Sequence, residues 1–208
     1  MIIISHRGYW KTADEKNTVT AFDRSFSLGY GTETDLRDLD GRLVVAHDPP
    51  LAGAMMADDM FARVASYDRD LPMALNIKAD GLQPMVTAQV AHHGLTGCFV
   101  FDMAVPDAIG WLKTDIAVFT RHSDVEEVPA FYDEAAGVWL DAFRNEWWDM
   151  DVIGAHLAAG KKVAVVSSEL HGRDHHALWS MMKSSDLCQS DDVILCTDIP
   201  ETASEFFG

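Results

Sequence analysis

Residues 32–48 read TETDLRDLDGRLVVAHD. Thr32 to Leu36 and Leu43 to Ala46 are short strand-like runs. The Asp40-Gly41 pair between them is a tight-turn signal that joins two antiparallel strands directly. Outward from this hairpin, further runs rich in β-branched and apolar residues occur at Ile2 to Ser5, Met73 to Ile77, Cys98 to Phe101, Ile116 to Phe119, Gly137 to Leu140, Val163 to Val166 and Val193 to Cys196. Setting aside Leu43 to Ala46 as the hairpin partner leaves eight strands. Amphipathic segments separate them, so the strands are expected to pair in parallel, and closing the sheet leaves no exposed edge. The reading is an α/β fold, a short (β/α)8 TIM barrel with a small β-hairpin after strand 2, formed by residues 1–208 as a single domain. An open doubly wound sheet is the alternative, but no glycine-rich phosphate fingerprint follows the first strand.

The first helix is the most clearly marked. Asn17 or Thr18 can cap it, Val19, Phe22 and Phe26 recur at helical spacing, and Gly29 lies where the chain must leave it. Similar patterns predict helices over Leu82 to His93, Val105 to Leu112, Val125 to Ala135, Trp148 to Ala159, His175 to Lys183 and Glu201 to Phe207. Residues 48 to 72 read as a brief connection without an assigned element.

Composition narrows the function. The chain has 208 residues, of which 48% are hydrophobic and 24% charged, enough for a sizeable core and incompatible with disorder. Sixteen basic residues against thirty-three acidic ones give a formal charge of -17. Such a field repels nucleic acid and anionic membranes, so no nucleic-acid partner and no stable membrane association are expected. Any anionic substrate must be captured by local cations. No stretch approaches the length of a membrane span, Met1 leads into Ile2-Ile3-Ile4 without a basic leader, and a cytoplasmic location is expected. Cys98, Cys188 and Cys196 have no metal-ligand spacing and read as reduced, buried thiols.

In a barrel of this kind, chemistry collects where strands end and loops begin. His6, Glu33 with Asp35, His47, Asn76 with Lys78, Asp102, Arg121, Asp141, Ser167 with Glu169, and Asp198 all fall at or just past the ends of candidate strands. The strand beginnings are mostly apolar. Glu33 and Asp35, two residues apart on one strand, project to the same side and can grip a hard divalent cation through oxygen.

Ser5-His6-Arg7-Gly8, Asn17-Thr18 with Ala21-Phe22, Glu33-Thr34-Asp35, Asp40-Gly41 with Leu43-Val44-Val45-Ala46-His47-Asp48, and Thr197-Asp198-Ile199-Pro200 together resemble the glycerophosphodiester phosphodiesterase family. The resemblance runs from residue 2 to about residue 200 and is dense in the first 48. It implies metal-dependent hydrolysis of a small glycerophospho-alcohol, with His6 and His47 as the acid/base pair. It also implies Arg7 and Lys78 on the substrate phosphate, and one divalent cation, Mg²⁺ or Ca²⁺, held by Glu33, Asp35 and a third ligand. Relatives carry that ligand as Glu-x-Lys on the third strand, whereas this chain reads Asn76-Ile77-Lys78. Asn76 can ligate through its carbonyl but adds no charge, and Asp102 is the alternative donor.

The chemistry suits a phosphodiester. Imidazoles with ordinary pKa values near ~6.5 can take a proton from the nucleophile and give one to the leaving oxygen at neutral pH. Two other readings share the barrel: a phosphate-ligand-binding member without turnover, favoured by Asn76, and a metal-independent phosphoinositide lyase, opposed by Glu33 and Asp35. Among the remaining residues, Arg121 and Asp141 suit either an ion pair or substrate contact, and Asp48 reads as a turn cap. Asp198 reads as ordering the last loop. His171, His175 and His176 match no ligand motif and read as a solvated loop and helix start. Trp148, with Val152, reads as core.

Overall fold

The computed structural model describes all residues, 1–208. Its strands are β1 (Ile2–His6), β2 (Gly31–Leu39), β3 (Arg42–Val45), β4 (Met55–Met56), β5 (Met73–Ile77), β6 (Cys98–Phe101), β7 (Ala117–His122), β8 (Gly137–Leu140), β9 (Lys162–Val166) and β10 (Val193–Thr197). The helices are α1 (Val19–Ser27), α2 (Ala57–Tyr67), α3 (Gln83–His93), α4 (Val105–Trp111), α5 (Met150–Ala158), α6 (His176–Lys183) and α7 (Pro200–Phe207). The sheet order is β1-β10-β9-β8-β7-β6-β5-β2, and a β1–β2 pairing closes the ring into an eight-stranded parallel barrel. Strands β3 and β4 are bonded outside it.

The hairpin forms as the turn pair requires. Leu36 pairs with Val45 and Leu39 with Arg42, antiparallel, while Asp40 (φ 51°) and Gly41 (φ 73°) both take the left-handed conformation that such a two-residue turn demands.

The contacts group the chain into two compact units, Ser5–Val118 and Met1–Ile4 with Phe119–Gly208. In the first, α1 and α2 bury Phe22, Phe26, Met60, Phe61 and Val64 with Leu36, Leu75 and Val100 of the strands. Phe22 and Phe61 are fully buried, and each such ring contributes on the order of 1.5–3 kcal/mol relative to exposure. Gly8 is what lets α1 come close to the first strand. Its φ is +79°, and a Cβ there would lie 2.7 Å from the Cβ of Ala21. In the second unit, Val138, Leu140, Val163, Val165 and Leu195 pack with Trp148, Ile153, Trp179 and Met182. Cys98, Cys188 and Cys196 form no disulfide and are buried. No helix is long and apolar enough to cross a membrane.

Two segments depart from the sequence reading. Residues 48–72 contain β4 and α2, and Ala57, Met60, Phe61 and Val64 form a buried helical face there. Val125 to Ala135 is turns and not a helix. Pro129 interrupts that stretch, Val125 and Val128 are exposed, and the Ser123 hydroxyl accepts the Val125 and Glu126 N–H groups to set a turn instead. The helix expected from Trp148 starts at Met150, because the Asp149 carboxylate caps it by accepting from Asp151 N and Val152 N.

Candidate active site

Parallel pairing of β2 with β5 puts Asp35 beside Asn76, and Glu33 lies two residues earlier on the same face. Glu33, Asp35 and Asn76 are all buried. Arg7, directly after β1, donates its backbone N–H to the Glu33 carbonyl at 2.9 Å, which ties the first loop to β2. Lys78 N reaches Leu36 O at 3.0 Å and carries the lysine just beyond β5.

The side chains converge on Asp35. Arg7 Nε lies 3.0 Å from its Oδ2 and Lys78 Nζ 3.5 Å from its Oδ1. Asn17 Nδ2 donates to Oδ2 at 2.9 Å. His6 Nε2 lies 3.9 Å from Glu33 Oε2, and Asn76 Nδ2 lies 3.4 Å from Asp102 Oδ2. Burial first, and then the Asp35 charge, push the Glu33 carboxyl well above the usual carboxylate range, against Arg7, Lys78 and a hydrogen bond from Asn76.

Three buried acceptors in this group have no hydrogen-bond partner: Glu33 Oε2, Asp35 Oδ1 and Asn76 Oδ1. An orphaned buried oxygen costs about 1–3 kcal/mol, and three on neighbouring strand positions are a feature the fold itself does not need. All are hard oxygen donors, and two come from carboxyl groups, so the set fits Mg²⁺ or Ca²⁺ and not a soft metal. Asp102 Oδ2 accepts from the Asn76 amide nitrogen, which turns the Asn76 carbonyl away from it. Backbone strain gathers here too. Arg7 (φ 59°), Asn17 (φ 58°) and Asp102 (φ 63°) are three of the five non-glycine residues with left-handed backbone.

His47 is placed differently. It follows β3, its side chain is 43% exposed, and its ring bonds Asp48 through Nδ1 at 2.9 Å. Asp48, expected as a turn cap, makes that contact through Oδ1. With the Asp48 carboxylate accepting, Nδ1 carries the proton and donates, and Nε2 of the neutral ring is left as an acceptor, the form a general base needs. The structure therefore brings His6, Arg7, Glu33, Asp35, Asn76, Lys78 and Asp102 together through contacts, and it presents His47 on an adjoining hairpin with its own carboxylate. The sequence reading missed Asn17 as a site residue and Asp48 as the partner of His47. The His-Asp adjacency was the signal for the second.

Other strand-end residues are used structurally. Asp141 Oδ1 accepts from His171 Nε2 at 2.7 Å and from Ala142 N at 2.7 Å, and Arg121 Nε lies 4.0 Å from Glu126 Oε2. Trp147 Nε1 donates to Asp141 O at 2.7 Å, and Trp148 is core. Glu169 accepts from Ser167, Thr197 and the Asp198 N–H. Asp174, His175 and His176 bring three donor atoms within 4.8 Å of one another, with Asp174 and His176 well exposed and already bonded to each other at 2.6 Å.

No family model matches this chain, and no curated protein matches it by sequence. Solved structures do. A glycerophosphodiester phosphodiesterase from Agrobacterium tumefaciens str. C58 superposes with a TM-score of 0.67 at 19% identity, covering 99% of this chain and 98% of that one. A glycerophosphoryl diester phosphodiesterase from Parabacteroides distasonis gives 0.64 at 14% identity, over 99% and 85%. A Ca²⁺-dependent phosphatidylinositol-specific phospholipase C from Streptomyces antibioticus gives 0.61 at 10% identity, over 100% and 95%. Along its whole length this chain therefore has the barrel fold of these phosphodiesterases.

Proposed function

We propose that residues 1–208 act as one metal-assisted phosphodiester hydrolase of the glycerophosphodiester type, cleaving a small glycerophospho-alcohol. The observation that carries the reading is the trio of buried oxygens without a hydrogen bond, Glu33 Oε2, Asp35 Oδ1 and Asn76 Oδ1, set beside two cations, Arg7 and Lys78. Glu33, Asp35 and Asn76 would hold one divalent cation, Mg²⁺ or Ca²⁺, and when bound it supplies Lewis-acid stabilisation of phosphoryl charge. Arg7 and Lys78 are half-buried point charges beside the same carboxylate and neutralise the non-bridging oxygens of the diester. In a chain of charge -17 they provide the local capture that the overall field opposes.

In the reaction a new oxygen–phosphorus bond forms as the bond to the alcohol breaks. One proton leaves the attacking water and one reaches the departing alkoxide. His6 and His47 serve as the acid/base pair, His6 beside Glu33 and His47 oriented by Asp48. Asp102, the alternative ligand, accepts from the Asn76 amide nitrogen and in this reading orients Asn76. The three thiols suit a reducing compartment, and the cytoplasm is the proposed location.

One observation favours a second reading. Asn76 contributes no charge, which suits a barrel that binds a phosphate ligand without turning it over. A panel of glycerophosphodiesters assayed with Mg²⁺, Ca²⁺ or Mn²⁺ separates the two. Cation-dependent release of alcohol, abolished by a chelator, is expected. Saturable diester binding without release under any cation would overturn hydrolysis in favour of the binding protein.

A further inference from the structure

We infer that Asn17 is a positioning residue of the cation site, acting through the Asp35 carboxylate. The inference rests on reading Glu33, Asp35 and Asn76 as the divalent-cation ligands.

Asn17 has left-handed backbone, φ 58°, a conformation that asparagine tolerates better than most side chains. It is pinned there from both sides. Its backbone N–H donates to Arg7 O at 2.8 Å, and the next residue, Thr18, caps α1 by accepting from Ala21 N. The side chain then has one place to go. Its Nδ2 donates to Asp35 Oδ2 at 2.9 Å, and its Oδ1 accepts from the Thr34 hydroxyl at 2.9 Å.

Those two bonds fix the amide unambiguously. An ionised carboxylate only accepts, so the NH₂ end must face Asp35, and the Thr34 hydroxyl satisfies the other end. The consequence falls on Asp35. One of its oxygens, Oδ2, is held by Asn17 beside Arg7, and the other, Oδ1, is left with no hydrogen bond, as are Glu33 Oε2 and Asn76 Oδ1. Asn17 thus sets the plane of a carboxylate and decides which of its oxygens remains available. Hydrogen-bonded partners of ligating carboxylates typically govern metal affinity by ~10–100-fold. Asn17 touches neither phosphate nor the reacting atoms in this account.

Asn17→Gly is the informative variant, because glycine accepts the left-handed backbone and keeps the N–H to Arg7 while deleting the amide. Mg²⁺ and Ca²⁺ are titrated calorimetrically into the full-length protein without substrate, and turnover is followed against cation concentration. Wild type is expected to bind one cation. Asn17→Gly should weaken that binding by ~10–100-fold, and kcat should recover toward wild type at saturating cation. Because a bound cation also stabilises the folded state, the circular dichroism spectrum of Asn17→Gly without metal must match wild type for the comparison to stand. An unchanged isotherm in folded Asn17→Gly overturns the inference, as does lost turnover that saturating cation fails to restore. If Asn17→Gly does not fold, Thr34→Val, which removes the hydroxyl on Oδ1, must weaken the isotherm in the same direction, and no change there overturns it equally. Wild type that binds no cation brings down the cation reading and this role together, whereas wild-type binding with an unaltered variant removes only the role of Asn17.

Discussion

Glu33 and Asp35 in the Ser5–Val118 unit, and Asp141 and Glu169 in the Phe119–Gly208 unit, are acidic residues at or near the C-terminal ends of barrel strands, yet their hydrogen bonding ends differently. Glu169 accepts on both oxygens, from two hydroxyls and a backbone N–H, and Asp141 accepts on Oδ1 from His171 and the Ala142 N–H. Glu33 and Asp35 each keep a buried oxygen with no hydrogen bond, and the two cations Arg7 and Lys78 flank the Asp35 carboxylate. Position at a strand end therefore does not identify the chemistry. What distinguishes the first group is hydrogen bonding left incomplete where water is excluded, a cost that a fold sustains only when something else occupies the gap.

The largest effects should come from the acid/base pair, and they test whether the hairpin histidine belongs to the first group. His6→Ala and His47→Ala should each lower kcat by ~10²- to 10⁴-fold with an unchanged circular dichroism spectrum. Full activity in both variants would break the comparison at its root. Next comes the contrast between carboxylates. A Glu33→Gln, Asp35→Asn double variant should lose the calorimetric signal for divalent cations. Glu169→Gln should keep both that signal and kcat, while unfolding at lower denaturant, because it disturbs a satisfied network worth on the order of 1–3 kcal/mol. Cation binding that survives the double variant and vanishes in Glu169→Gln would reverse the assignment.

Asn76→Glu sharpens the point further. It restores a charge beside Asp35, so the cation concentration for half-maximal activity should fall, by roughly tenfold if one ligand charge dominates affinity. The change in kcat should stay smaller than that caused by His6→Ala, since a better neutralised cation is a weaker Lewis acid. Unaltered cation affinity in a folded Asn76→Glu protein would remove β5 from the ligand set.

Much of this was legible in the chain itself. Every ring strand was marked by β-branched runs, because a strand buried on both faces leaves little freedom of composition. The Asp40-Gly41 turn identified β3, one of the two strands that lie outside the ring. Failures arose where local pattern and tertiary context disagree. Residues 125–135 look amphipathic, but Pro129 and the Ser123 turn decide the backbone there. Helix α2 carried a clear pattern at Ala57, Met60, Phe61 and Val64, which was read as connection although its spacing is helical. Glu33, Asp35 and Asn76 could be proposed as ligands from spacing and resemblance. Which of their oxygens lack partners could not, since that depends on Asn17 and Asp102, residues distant in sequence from the ones they hold.

The smallest expected effect concerns a group that belongs to the satisfied region. His156 Nε2 lies 3.0 Å from His122 Nδ1, and His156 Nδ1 lies 2.8 Å from the Tyr132 hydroxyl. Trp147 packs edge-on against His122, and Lys161 lies 5.2 Å from the centre of the Tyr132 ring. Burial, followed by the His122 charge, lowers His156 to about 4, and burial lowers His122 as well, against a backbone hydrogen bond at Glu127. Both rings are therefore neutral in the folded chain, whereas in the unfolded chain they take up a proton near ~6.5. Their contribution is complete above that value and is lost as pH falls from ~6.5 toward 4, because the unfolded chain then binds the extra proton. By pH ~5 His156 alone can remove at most roughly 2 kcal/mol. Thermal melts between pH 7 and 5 should shift downward, and hydrogen exchange at the lower pH should quicken in α5 before it does in α1 or α2. His156→Gln, which cannot titrate, should flatten the dependence. Melts that stay level in wild type, or that keep the same slope in His156→Gln, would show that this histidine pair is not what separates the acid response of the two regions.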